Sequence, residues 1–424
     1  MEPKSILSRV ILCLSGLALP ILGGAAELPL GADVDGLLAY ARGNPEYAAM
    51  RHEADAAAQR VYPAGAFPDP QFRMELRNIT NAGSDAQPSV LPSKVGSTKY
   101  TLVQPVPFWG KRELKREVAE ADAEQAQGRV ATTWSELAAS IKTAYARYYL
   151  VVGTEQLTRE ILDLLLRLER IALVRYDSGL AQQQDVIRAQ VELTTMRSEL
   201  MLLESERAGL EAALNSLLAR DSAAPLAAPE RLRPVPLPAK LEPATLVDRL
   251  RSHNPQLFAS DARIRGAEKN RELTYKNRYP DFAVGVSPIQ TGSRIGEWEV
   301  MVELNIPFQQ ESRRWQESEA ESMLSAARAQ KEAAANRLIG EMFENVAALK
   351  AAQRIESLTT YSLLPQSEAT LQAALVGYEN GKVDFATLLD AQRQIRKSKQ
   401  DRLKAQADAQ TRLAAIERLL GEDL

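Results

Sequence analysis

The sequence holds one cysteine, Cys13, and two histidines, His52 and His253. That supply excludes a disulfide framework and thiolate metal sites, since both need several convergent side chains. Each histidine sits beside an Asn-Pro phrase, and the methionines do not cluster, so a solvated or packed histidine fits better than a ligand. There is no nucleophile elbow, no phosphate loop and no zinc motif, which leaves a hydrolytic enzyme without machinery. No cofactor, metal or catalytic residue is assigned. Beyond residue 26 no stretch of 18 apolar residues occurs, so a hydrophobic helix cannot carry this chain across a membrane. Proline is absent from Lys111 to Arg175, which permits one continuous helix of roughly 98 Å at ~1.5 Å per residue.

What is present begins with a secretory layout. Lys4 and Arg9 precede an apolar run from Val10 to Leu22, then Gly23-Gly24-Ala25-Ala26 and Glu27, so residues 1–26 read as a signal peptide. Cys13 lies inside it after Val10-Ile11-Leu12, which is not a lipobox. Losing Glu2, Lys4 and Arg9 removes one negative and two positive charges and takes the net charge from −3 to −4, so no basic surface argues for nucleic acid.

The chain is written twice. Asn44-Pro45 and Phe67-Pro68-Asp69 return as Asn254-Pro255 and Tyr279-Pro280-Asp281, and Val106-Pro107-Phe108 returns as Ile306-Pro307-Phe308. Ala172-Leu173-Val174-Arg175-Tyr176-Asp177-Ser178-Gly179 returns as Ala374-Leu375-Val376-Gly377-Tyr378-Glu379-Asn380-Gly381. The order is kept, so a unit too long for a solenoid has been duplicated. Residues 27–224 form the first repeat, residues 225–243 a proline-rich extended connector, and residues 244–424 the second repeat.

Each repeat reads as a helix, two short strands around a loop, and two long helices around a turn. Strands are expected at about 71–77, 98–106, 281–287 and 297–306; long helices at about 111–175, 183–219, 312–377 and 384–420. Phe72, Met74 and Leu76 alternate with Arg73, Glu75 and Arg77; Trp298, Val300, Val302, Leu304 and Ile306 alternate with Glu297, Glu299, Glu303 and Asn305. The alternation alone also fits a half-buried soluble hairpin. If the strands face lipid, four per chain cannot close a barrel, which takes at least about eight, and oligomerisation is required. Leu193, Met196, Leu200, Leu203, Leu210, Leu214 and Leu217, interrupted by Arg207, form a coiled-coil seam. A plain antiparallel coiled-coil rod would satisfy the helices but leaves the strands and the signal unexplained.

The duplicated plan, with Tyr176-Asp177-Ser178-Gly179 to Asp185-Val186 and Tyr378-Glu379-Asn380-Gly381 to Leu389-Asp390-Ala391, resembles the TolC family of outer-membrane efflux ducts over essentially the whole mature chain. Gln104-Pro105-Val106-Pro107-Phe108-Trp109-Gly110-Lys111-Arg112 and Pro68-Asp69-Pro70-Gln71 resemble the heavy-metal efflux branch. The resemblance implies a mainly α fold with a small β portion. It also implies a homotrimer whose twelve strands form one barrel in outer-membrane lipid, above a periplasmic tunnel of twelve helices. Its partners would be a periplasmic adaptor (membrane fusion protein) and an inner-membrane RND-type pump, and it would be a passive exit for cargo, heavy-metal cations on the branch resemblance.

By the same resemblance the helix turns form a closed periplasmic mouth. Asp185 would pair with Tyr378 to hold the inner coil, and three copies of Asp390 would form an acidic ring in the pore. A companion ring position falls on Thr387 and a basic gate position on Val383, with Lys382 and Arg393 as candidate substitutes. The plainer reading of Asp185 and Asp390 is a carboxylate favoured by the helix macrodipole. A coiled-coil periplasmic adaptor or structural protein is the alternative function, but the lipoyl-like β module expected of an adaptor is not found.

Overall fold

The computed structural model describes residues 30–79 and 88–424. The expected signal peptide with Cys13, and part of the first strand-to-strand loop, lie outside the described residues. The first repeat contributes helices α1 (Val34–Ala41) and α2 (Pro45–Gly65), strands β1 (Gln71–Arg77) and β2 (Ser97–Val106), and helices α3 (Lys111–Asp177) and α4 (Gln183–Leu217). The second contributes α5 (Pro243–His253), α6 (Pro255–Lys276), β3 (Asp281–Thr291), β4 (Arg294–Asn305), α7 (Gln310–Leu358), α8 (Leu364–Glu379) and α9 (Phe385–Leu420). The chain is mainly helical with one small sheet. Among the described residues no helix is long and apolar enough to cross a membrane.

The repeated Asn-Pro phrases each start a helix and do a second task. The Asn44 side chain accepts from the Glu46 N–H at 2.7 Å, and that of Asn254 from the Leu257 N–H at 2.9 Å, capping α2 and α6 while proline occupies the first helical position. Their amide nitrogens then donate to Leu217 O (2.9 Å) and Leu419 O (2.7 Å), satisfying the last carbonyls of α4 and α9. One buried asparagine thus closes each repeat onto itself.

Helix α3, at 67 residues, packs along α2, α4, α6 and α9. A Cβ at Gly128 would lie 2.8 Å from the Ala259 Cβ and 3.0 Å from its backbone, so the close crossing of α3 and α6 requires glycine there. The seam expected on α4 is tight at Leu193, Met196 and Leu214 but only half-buried at Leu200, Leu203 and Leu210. Arg207, the break in that seam, reaches back to α3, where the buried Glu155 carboxylate lies at 3.4 Å from its guanidinium and also pairs with Arg159. In the second repeat the helix expected over 312–377 is interrupted at Thr359–Leu363 by a π-helical turn that precedes Pro365. Proline lacks the N–H and its ring crowds the carbonyl four residues back; the widened turn accommodates both.

Residues 225–243 read from sequence as a surface connector, but they act as a packed strap. Leu226 and Leu232 join the core built on Tyr145, Tyr148 and Leu214, whereas Val235 and Leu241 join that of Met342, Leu349 and Ile416. Lys142 on α3 is buried against Glu417 on α9 (2.7 Å), which Arg233 of the strap also contacts (2.6 Å). Buried charges persist only when paired in this way, so this knot fixes the two repeats and the strap in one arrangement.

The four strands form one antiparallel sheet in the order β1-β2-β3-β4. Register places Phe72, Leu102, Val286 and Val300 in one row across it, and Met74, Val302 and Leu304 on the same face. The opposite face carries Arg73, Glu75, Arg77, Lys99, Glu297, Glu299 and Glu303, with Ser287 donating to Thr101 at 3.0 Å. Among the described residues no helix covers the apolar face: Val300 is 77% and Trp298 68% exposed.

Candidate functional site

Two turns lie side by side at the far end of the long helices, and both are built alike. After α3 the Leu180 N–H donates to Arg175 O (2.7 Å) and the Gly179 N–H to Tyr176 O (2.9 Å). After α8 the Lys382 N–H donates to Gly377 O (2.8 Å) and the Gly381 N–H to Tyr378 O (3.0 Å). These paired bonds are Schellman caps, and both glycines have φ of +71°, which explains why the repeated phrase ends in glycine. Leu165, Leu168 and Met196 from the first hairpin share one apolar core with Leu371, Phe385 and Leu388 from the second. Any rearrangement of the turns must therefore move paired coils together.

Arg175, which the sequence reading did not single out, links the two turns. Its Nη1 donates to Glu379 O at 2.7 Å and its Nη2 to Leu180 O at 3.3 Å, and its guanidinium carbon lies 5.1 Å from the centre of the Tyr378 ring. Tyr378 is buried, tilted against Phe385 at 5.2 Å, and its hydroxyl has no hydrogen-bond partner among the described residues. The hydroxyl titrates above its ordinary value because of burial and then the nearby charge of Asp185. Asp185 and Tyr378 are thus brought into electrostatic range without the hydrogen bond that pairing would imply.

The Asp185 carboxyl is pushed up chiefly by burial, with Asp384 adding in the same direction and Arg188 and Arg175 opposing. An ionised Asp185 consequently costs the packed turns free energy that a protonated one does not. Where Asp185 is solvated its pKa returns to the ordinary range, so the packed form is favoured as pH falls through the raised value. That gain is complete below the ordinary value and is lost as pH rises. Local opening of these turns, followed by hydrogen exchange corrected for its intrinsic pH dependence, should accordingly decrease on acidification, and Asp185→Asn should hold it at the low-pH level throughout. A pH response that survives in Asp185→Asn would assign the titration elsewhere.

The remaining expected residues are distributed along the start of α9. Asp384 caps the helix, accepting from the Thr387 N–H (2.9 Å) and hydroxyl (2.5 Å), and these bonds hold its carboxyl below the usual range. The Thr387 hydroxyl is therefore engaged at the cap. Arg393 bonds Glu192 of α4 through Nη2 (2.7 Å) and Nε (3.3 Å), so this cation ties two coils together. Asp390 projects outward with its side chain 76% exposed, 3.6 Å from Arg393. Lys382 is exposed at the turn, and Val383 packs where a Cβ on Gly377 would come within 2.6 Å of it. Among the described residues no group of three or more His, Cys, Asp or Glu could hold a metal ion, and His52 and His253 are exposed.

The sequence model of a family described as outer membrane efflux protein matches residues 40–220 and 246–422, one segment in each repeat. The cobalt-zinc-cadmium resistance protein CzcC of Cupriavidus metallidurans is 24% identical over 331 residues, covering 77% of this chain and 78% of that protein. Among solved structures, CusC superposes with a TM-score of 0.79 at 17% identity, covering 92% of both chains. The outer membrane protein VceC of Vibrio cholerae gives 0.78 at 17% identity over 92% of this chain and 96% of its own.

Proposed function

This chain belongs to the outer membrane efflux protein family, and we propose that three copies assemble into an outer-membrane duct, a twelve-stranded barrel continued by an α-helical tunnel in the periplasm. The observation that carries this reading is the uncovered apolar face of the sheet. Its three longest strands, of 10, 11 and 12 residues, match the ~9–11 residues a tilted strand needs to cross the hydrocarbon core. Apolar residues outside and charged residues inside are the arrangement of a water-filled barrel in lipid. Phe108 stacks on Tyr279 at 4.5 Å with Trp109 beside them, at the strand-to-helix junction where an interfacial aromatic belt would lie.

The duct is a passive exit, served by a periplasmic adaptor and an inner-membrane pump of the RND type that select the cargo. Heavy-metal cations are the proposed cargo, on the similarity to the cobalt-zinc-cadmium resistance protein. Three Asp390 carboxylates around the mouth suit cations, because a ring of like charge in a narrow pore attracts counter-ions. Arg393 does not cancel the ring, since Glu192 claims most of its hydrogen-bonding edge.

Purified protein in planar bilayers should give single channels that prefer cations and are blocked by divalent ions. Asp390→Ala should reduce both properties. Unchanged selectivity would remove Asp390 from the pore, and a water-soluble monomer that forms no channels would overturn the duct itself.

A further inference from the structure

The two edges of the sheet are charged in opposite senses on the face that would line the barrel. On β1, Arg73 and Arg77 share one carboxylate, Glu75, at 4.0 and 3.6 Å. On β4 the same face presents Glu297, Glu299 and Glu303, of which only Glu299 has an ion-pair partner among the described residues, Lys99. One edge therefore has cations to spare and the other has carboxylates to spare, and the outer backbone edge of each strand has no strand beside it among the described residues.

We propose that β4 of one copy pairs antiparallel with β1 of the next in a single register, Glu303 opposite Arg73, Met301 opposite Glu75 and Glu299 opposite Arg77. This rests on the trimeric barrel reading and specifies how it closes. Shifts by an odd number of residues would turn apolar groups inward, so only even shifts are open. Sliding by two residues one way sets Glu75 opposite Glu299, and sliding the other way sets Glu75 opposite Glu303; directly opposed like charges destabilise a strand pair. Of these three registers only the chosen one avoids both. A slide of four would set Glu75 opposite Asn305 without a like-charge clash but would tilt the strands by roughly 54° at ~3.3 Å per residue and ~4.8 Å between strands. It also aligns Phe72 with Leu304, Met74 with Val302 and Leu76 with Val300 on the lipid side.

Barrel geometry supports the same choice. Following the rows across one copy leads from Arg73 through Thr101 and Ser287 to Glu299. Crossing the seam then leads to Arg77 of the neighbouring copy, an advance of four residues per copy and twelve around the ring. Twelve steps of ~3.3 Å along the strands against twelve spacings of ~4.8 Å around them give a tilt of about 35°, within the range of membrane barrels. The slid registers would give tilts of roughly 20° and 45–50° on the same spacings.

Disulfide trapping tests the register. With Cys13 replaced by serine the chain has no cysteine, so Arg73→Cys can be combined with Glu303→Cys, Met301→Cys or Asn305→Cys. Within one copy these positions lie three strand spacings apart, about 14 Å, beyond disulfide reach, so a link must join two copies. The Glu303→Cys pair should oxidise several-fold faster than the other two and yield covalent trimers on non-reducing gels. Independently, Glu303→Arg should lower the heat resistance of the trimer and the added Arg73→Glu should restore it. Detergent-resistant trimers that link fastest through position 301 or 305 would overturn the register and leave the duct standing. A chain that forms no such oligomer would overturn both.

Discussion

Val300→Arg is expected to abolish recovery of heat-resistant trimers from the outer membrane, while Met301→Arg one residue along, on the charged face, should be tolerated. Val300 is among the most exposed apolar residues of the sheet, at 77%, and it lies mid-strand opposite Val286, in the row that runs through Leu102 to Phe72. On a water-facing surface a substitution at such a position changes stability by only about ±0.5 kcal/mol. At mid-depth in lipid an arginine costs about 2–4 kcal/mol, and a trimer incurs that cost three times. The two environments therefore predict outcomes separated by an order of magnitude, and migration of unboiled samples from detergent-extracted membranes reads the difference. Trimers of Val300→Arg with unaltered heat resistance would place this face in water.

The strand faces were legible because a period of two leaves the chain no choice. Once Trp298, Val300, Val302 and Leu304 alternate with Glu297, Glu299 and Glu303, register can only decide which neighbours share each row. The turns were legible for an equally local reason, since a Schellman cap needs a residue at positive φ and glycine takes it without strain. Pro365 lies within the helix expected over 312–377, and the sequence pattern did not show that the helix would widen into a π turn before it, because that depends on how the neighbouring turns absorb the missing N–H. The connector's prolines announced extended chain and were silent on Leu241, whose burial depends on α7 and α9 arriving from elsewhere in the sequence.

The site was less legible because its contacts join residues far apart in the chain. Arg175 and the carbonyl of Glu379 are separated by 204 positions. A signal existed nonetheless: the duplicated phrase reads Val174-Arg175-Tyr176 in one copy and Val376-Gly377-Tyr378 in the other. Where two copies of a unit pack against each other, a difference at equivalent positions marks what each must do for its neighbour. Here the arginine supplies a cation over Tyr378, and the glycine leaves room for Val383.

That asymmetry leads to the second large effect: Arg175→Ala should raise conductance of the closed state, whereas neutralising Asp185, which relieves a partly buried charge, should not. Arg175 supplies one direct hydrogen bond from the first turn to a carbonyl of the second and braces it with another to Leu180 O of its own turn, whereas Asp185 reaches Tyr378 only through charge. Removing a charged hydrogen bond and a cation–π contact costs about 1–2 kcal/mol here, toward the low end because the carbonyls are exposed. If the three copies of this latch around one mouth open together, the cost summed over the trimer is about 3–6 kcal/mol, which shifts the closed-to-open ratio by roughly two to four orders of magnitude. Arg175→Lys should recover only part of the closure, because an ammonium keeps the charge but cannot span Glu379 O and Leu180 O with one planar fork. Single-channel recording of the three variants separates the schemes. Were Arg175→Ala to stay shut while Asp185→Ala opened, the latch would lie with the carboxylate; full closure in Arg175→Lys would mean that charge alone holds the mouth.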